Sequence, residues 1–189
     1  EVKTTKAKRT DKEIQILGCD IYHDSFDRKI IEESDLILYI GDGMFHPKAL
    51  LLSQIKNKQI KPVVIWNPIS GEMKILTEKT IQKQLNKIKS NIKRYIMAKK
   101  IGILVTIKPG QQYLNHAIKL KEKIESQGKK AFIFVDDIID LKQLENYPFI
   151  ETWVNTACPR IGSDDIINFS QAIINLREAF EPEKFLKDI

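Results

Sequence analysis

Asp35-Leu36-Ile37-Leu38-Tyr39-Ile40-Gly41-Asp42-Gly43 is a near-continuous apolar run closed by two glycines. Such a run reads as a parallel strand buried on both faces. Gly-Asp-Gly makes a sharp turn after it, because glycine adopts backbone angles closed to other residues. A helix is expected next, from about His46 to Lys56, with Phe45, Ala49, Leu52 and Ile55 facing inward. Strand, tight turn and helix in that order are the repeating unit of an open α/β sheet. Ligands of such sheets sit beyond the C-terminal ends of the strands.

The same alternation extends outward. Upstream, Ile14 to Cys19 reads as a strand, Asp20 to Arg28 as a loop and Ile30 to Ser34 as a helical turn, with Val2 to Thr5 a remnant strand. Downstream come a strand from Lys61 to Trp66, a turn at Pro68 to Gly71 and a helix from Thr77 to Met97. That helix carries Ile81, Leu85, Ile88, Ile92 and Ile96 as an apolar stripe. The pattern then restarts. Strands are expected at Lys100 to Ile107, Lys130 to Val135 and Thr152 to Cys158. Helices are expected at Tyr113 to Gln127, Asp137 to Glu145 and Asp164 to Ala179, with a surface tail after Glu181. The fold class is therefore α/β. Two small three-layer units with parallel sheets divide near Ala98, as 1–98 and 99–189. The first is truncated at its N-terminus, since little precedes the Cys19 strand.

Composition narrows the function classes. The 189 residues are 42% hydrophobic and 30% charged, the balance of a globular protein. No apolar run approaches the roughly 18 residues of a membrane span. No export signal is visible, so a reducing cytoplasm is the expected compartment and the two cysteines are not a disulfide framework. Net charge is +6, and the excess lies in the first half: 18 basic and 12 acidic residues over 1–98, against 13 and 13 over 99–189. That surplus is either a partner-facing surface or a solvated helix face with a basic arm.

Chemistry collects at the expected strand ends. Cys19 and Cys158 each close an apolar run. Two thiols so placed suggest a metal, yet two thiolates complete neither a tetrahedral zinc site nor an iron–sulfur cluster. His23 or His46 would have to join a zinc site, and neither has close ligand spacing to a cysteine. Packed cysteines and a metal site both stay open on chemistry alone. Gly41 and Gly43 allow close backbone approach to a ligand. His46 begins a helix beside Pro47. Gln111, in Lys108-Pro109-Gly110-Gln111, and Arg160, whose planar fork matches a carboxylate, suit a polar small molecule. His116 sits on a lysine-rich helix and reads as exposed. Asp136 and Asp137 are adjacent and point apart, a poor acid/base pair. No Walker loop, full Gly-x-Gly-x-x-Gly or serine elbow is present.

In combination the motifs are specific. Leu17-Gly18-Cys19-Asp20, Gly41-Asp42-Gly43-Met44-Phe45-His46-Pro47, Lys108-Pro109-Gly110-Gln111 and Ala157-Cys158-Pro159-Arg160-Ile161 occur in order. Over about Val2 to Ala179 the chain resembles the archaeal diphthamide synthase subunit, the 2-(3-amino-3-carboxypropyl)histidine synthase family. The resemblance implies three similar α/β domains, each giving one cysteine to a single 4Fe-4S cluster. It makes Cys19 the ligand of the second domain, here partial, and Cys158 that of the third. It further implies transfer of the 3-amino-3-carboxypropyl group of S-adenosylmethionine to a histidine of translation elongation factor 2, by radical chemistry, as the first step of diphthamide biosynthesis. Gly41, Gly43, His46, Gln111 and Arg160 would line the S-adenosylmethionine cavity. A homodimer is the implied assembly, with no membrane and no direct nucleic-acid partner. With two of three ligands, the 189 residues alone are expected to be inactive. The rival expectation is a noncatalytic ligand- or partner-binding α/β module with packed cysteines.

Overall fold

In a computed structural model of the chain, which describes residues 1–57 and 59–189, seven strands form two sheets. The first holds β1 (Ile37–Ile40), β2 (Val63–Trp66) and β3 (Met73–Leu76) in that order. The second has the order β5-β4-β6-β7, with β4 (Lys100–Thr106), β5 (Lys130–Asp136), β6 (Thr152–Asn155) and β7 (Ala172–Asn175), all parallel. Helices α1 (Arg28–Glu33), α2 (Phe45–Leu52), α3 (Glu78–Met97), α4 (Leu114–Ser126), α5 (Leu176–Phe180) and α6 (Pro182–Asp188) connect and follow them. Among the described residues no helix is long and apolar enough to cross a membrane.

The α/β alternation holds, and five details of the expectation are corrected. First, Ile14 to Cys19 is not a strand: Ile14 has a left-handed backbone (φ 53°) and is exposed, and the segment is turn-like. Among the described residues no strand pairs with it, so apolar residues alone did not make it extend. Val2 to Thr5 is likewise irregular. Second, β1 is an edge strand whose burial alternates, with Leu38 and Ile40 exposed. Third, the first sheet is not wholly parallel. The turn Pro68 to Gly71 folds β3 back antiparallel on β2, with Asn67 Oδ1 accepting from Ile69 N (2.9 Å) and Asn67 N donating to Glu72 O (3.0 Å). Fourth, Asp164 to Ala179 is not one helix. A 3-10 turn at Asp165–Asn168 precedes β7, and only α5 is helical. The Ile173-Ile174 pair is fully claimed by the sheet, which overrides helical spacing. The segment expected as a helix from Asp137 to Glu145 is a 3-10 turn, Leu141–Asn146.

By internal contacts the chain divides into Glu1–Lys83 and Gln84–Ile189, so the boundary falls inside α3 rather than near Ala98. The reason is visible in the later turns of α3. Asn91 Nδ2 donates to Ile173 O of β7 (2.9 Å), Lys87 Nζ to Phe169 O (2.9 Å), and the Tyr95 hydroxyl to Ala179 O (3.2 Å). The Asn91 bond satisfies a backbone group on the open edge of β7, and the other two tie α3 to the segments on either side of that strand. Burial, with a nearby Glu183 carboxylate, raises the Tyr95 hydroxyl above its usual range.

Candidate functional site

In the first unit the cysteine loop is a braced turn. Asp20 N donates to Leu17 O (3.0 Å), and Leu17 N donates to the buried Asp20 Oδ2 (2.8 Å). Arg9 Nη2 donates to Cys19 O (2.8 Å), and its Nε lies 3.4 Å from Asp20 Oδ1. Thus Leu17 to Asp20 is held by side chains around the half-buried Cys19. Gly18 packs flat against Phe45: a Cβ added there would lie 1.8 Å from Phe45 Cε1, so only glycine fits. This explains why Phe45, expected inward, is half exposed. It seats the cysteine turn on the start of α2 instead of entering the core.

Beyond Phe45 the rings continue. His46 meets Phe45 edge-on (5.3 Å between centroids, 84°) and Tyr39 in a stack (6.3 Å, 18°). Partial burial and then the Asp42 charge raise the Tyr39 hydroxyl from its usual value. Gly41 N donates to Trp66 O (2.9 Å), closing β1 against β2, and Gly43 takes the left-handed φ of 70° that lets the chain turn into α2. Four predicted site residues, Cys19, Gly41, Gly43 and His46, therefore meet in one loop cluster at the C-terminal end of β1. His23 is half-buried.

In the second unit Cys158 lies three residues past the end of β6. Ala157 N donates to Asn155 Oδ1 (3.0 Å), and Asn155 Nδ2 donates to Cys158 O (2.8 Å). Pro159 O accepts from Asn175 Nδ2 (3.0 Å). Ile161 N returns to Cys158 O (3.1 Å), and Asp164 N to Arg160 O (2.8 Å). Gln111, half-buried, follows β4 on the same edge of the sheet, in a turn closed by Gln111 N to Lys108 O (3.1 Å). Arg160 is only 4% exposed. Its Nε donates to Asp164 Oδ2 (2.7 Å) and its Nη2 pairs with the same oxygen. The planar fork has found a carboxylate within its own loop. His116 is exposed, edge-on to Tyr113 (5.8 Å).

Of the residues that fix these loops, Asp20 stands in the Leu17-Gly18-Cys19-Asp20 motif, while Arg9, Asn155, Asn175 and Gly162 carry no site reading in the sequence. One signal was present. Trp153-Val154-Asn155 and Ile173-Ile174-Asn175 both end an apolar run in asparagine. The second was hidden by its assignment to a helix.

Among the described residues no group of three or more His, Cys, Asp or Glu could hold a metal ion. A zinc-structured reading thus lacks a ligand set. What the chain offers is two half-buried thiols on separately braced loops, a donor type suited to iron–sulfur ligation.

Comparison with known proteins gives a consistent picture. Residues 1–181 match the family model of diphthamide synthesis proteins. The 2-(3-amino-3-carboxypropyl)histidine synthase of Pyrococcus horikoshii is 31% identical over 165 residues, covering 87% of this chain and 44% of that protein. The synthase of Methanocaldococcus jannaschii is 31% identical over 176 residues, covering 90% and 44%. Subunit 1 of the Yarrowia lipolytica synthase is 28% identical over 166 residues, covering 87% and 35%. The crystal structure of Dph2 from Pyrococcus horikoshii with a 4Fe-4S cluster superposes with a TM-score of 0.72 at 26% identity, covering 99% of this chain and 49% of that one. The chain spans less than half the length of the curated relatives it matches.

Proposed function

The chain belongs to the diphthamide synthesis protein family, and on that premise we propose that it forms part of a 2-(3-amino-3-carboxypropyl)histidine synthase. The proposed reaction moves the 3-amino-3-carboxypropyl group of S-adenosylmethionine to a histidine of translation elongation factor 2. The carrying observation is that both cysteines lie on loops whose backbones are fixed by other side chains, in a chain similar throughout to a 4Fe-4S protein.

Cys19 and Cys158 would each give a thiolate to that cluster. When bound, a 4Fe-4S cluster supplies single-electron chemistry at low potential. The chain's residues do the holding. Arg9 and Asp20 keep the Cys19 turn closed against Phe45. Gly41 and Gly43 keep the loop after β1 free of side-chain bulk, and the His46 ring stacks on Tyr39 beside it. Gln111 gives a neutral donor and acceptor at the sheet edge. Arg160, neutralised by Asp164, acts by fixing its loop rather than by reaching a substrate carboxylate. Self-association into a homodimer and a cytoplasmic site of action complete the reading.

The test is transfer itself. The full encoded polypeptide, reconstituted anaerobically with iron and sulfide, is given S-adenosylmethionine and elongation factor 2. Mass spectrometry should find one aminocarboxypropyl addition on a histidine. A reconstituted protein that binds iron yet leaves the factor unmodified overturns the transfer. One that acquires no cluster supports the noncatalytic module instead.

A further inference from the structure

We propose that Asn155 and Asn175 are positioning residues for Cys158, a matched amide pair that fixes the orientation of the cysteine loop. Asn155 and Asn175 are register partners, each the last residue of its parallel strand. Both are buried, and buried amides are kept only where their polar atoms find partners. Asn155 Nδ2 donates to Asn175 Oδ1 (2.8 Å), joining the two side chains. Asn155 also accepts from Ala157 N (3.0 Å) and donates to Cys158 O (2.8 Å). Asn175 donates to Pro159 O (3.0 Å), and the Glu178 carboxylate behind it accepts from the Asn175 side chain. Three consecutive loop residues, Ala157, Cys158 and Pro159, are thus tied to two side chains that are themselves locked together.

The loop is also closed from above. A Cβ on Gly162 would fall 2.3 Å from Asn175 Oδ1, so Gly162 lets the loop lie directly on the amide. Each amide orientation is dictated by the network, because swapping oxygen and nitrogen on Asn155 would set donor against donor at Ala157 N. The bracing reaches Cys158 through its carbonyl, and its side chain is half-buried at the sheet edge. Partners behind a ligand orient it and tune its affinity. The role in ligation rests on the reading of Cys158 as a cluster ligand; the positioning does not.

The test uses the full encoded polypeptide, first without iron. Alkylation by iodoacetamide is followed by peptide mass spectrometry, with Cys19 in the same molecule as the internal reference. Asn155→Asp keeps the acceptor for Ala157 N but sets oxygens against Cys158 O and Asn175 Oδ1. It should raise the Cys158-to-Cys19 rate ratio about tenfold, the equivalent of one hydrogen bond of ~1.4 kcal/mol. Gly162→Ala, which displaces Asn175 from the loop side, should raise it in the same direction. Trp153→Phe breaks a bond from β6 to Gln171, just before β7, and lowers stability without touching the loop, so it should leave the ratio unchanged. After reconstitution, Asn155→Asp should alter the electron paramagnetic resonance line shape of the reduced cluster. An unchanged ratio in Asn155→Asp and Gly162→Ala, with native circular dichroism, overturns the proposal. So does an equal rise in Trp153→Phe. Cys158→Ser with undiminished iron would instead overturn the ligand reading and leave the positioning intact.

Discussion

The two sheets are built from similar strands and end in opposite states. In the second, β6 and β7 are buried at every position and β4 at all but the first, and Trp153 has no exposed surface. In the first, Ile40, Trp66 and Met73 form one cross-strand row and Leu38, Val64 and Ile75 another. All of these but Val64 are exposed. The inner strands of one sheet are covered on both faces, with its edge strand β5 largely open; the other sheet presents an apolar face. The contrast shows that a run such as Asp35 to Ile40 encodes the capacity to be buried, while actual burial depends on which layer is present.

Substitutions can break or sharpen that contrast. Trp153→Ala should cost about 3–5 kcal/mol, the range for an aromatic removed from a closed core. Ile40→Ala should change stability by less than about 0.5 kcal/mol, as for an exposed position. Chemical denaturation of the two variants measures both, and a comparable loss for Ile40→Ala would mean its face is covered in solution.

Next in size is a pH effect confined to the second unit. Burial pushes the Glu178 carboxyl up to about 7, from 4.5 when exposed. The folded state therefore holds its proton more tightly than the unfolded one. The associated stability is complete below pH 4.5 and is lost as pH rises through 7. Its span is about 3 kcal/mol. Glu178→Gln keeps an acceptor for Asn175 and removes the charge, so its melting temperature should exceed that of the parent at pH 8 and match it at pH 4. A parent whose advantage grows with pH would contradict the assignment.

Smaller still, Arg9→Ala should release the Cys19 turn. A loss of about 1–3 kcal/mol is expected where a charged donor to a backbone carbonyl is deleted. Hydrogen exchange at Leu17 N and Asp20 N should rise, with the Cys158 loop unaffected. Smallest is Ile75→Ser on the open face. Its stability should shift by less than about 0.5 kcal/mol, while binding of an apolar dye falls.

The sequence made the second unit largely legible because its strands carry their own boundaries. Gly128 ends α4, and Lys100 to Thr106 is apolar enough for its strand to be read to within a residue. Ile173 and Ile174 misled because a four-residue strand and a helical stripe look alike over so short a span. In the first unit Ile14 to Cys19 was misread because strand residues need a partner strand, and nothing local reveals its absence. The turn at Gly41 and Gly43 that leads from β1 into the helix of His46 was legible. The braces behind the cysteine loops were not. Arg9, Asn155 and Asn175 act through contacts with no fixed spacing, and the Arg160–Asp164 pair was not legible either.

The central claim is that both cysteines ligate a cluster, and the most direct measurement is iron and acid-labile sulfide per chain after anaerobic reconstitution. It is made on the full encoded polypeptide and on Cys19→Ala and Cys158→Ala, each checked for a native circular dichroism spectrum. The account predicts four irons and four sulfides in the parent and a large loss of both in each variant. Full iron and sulfide in either variant would contradict it.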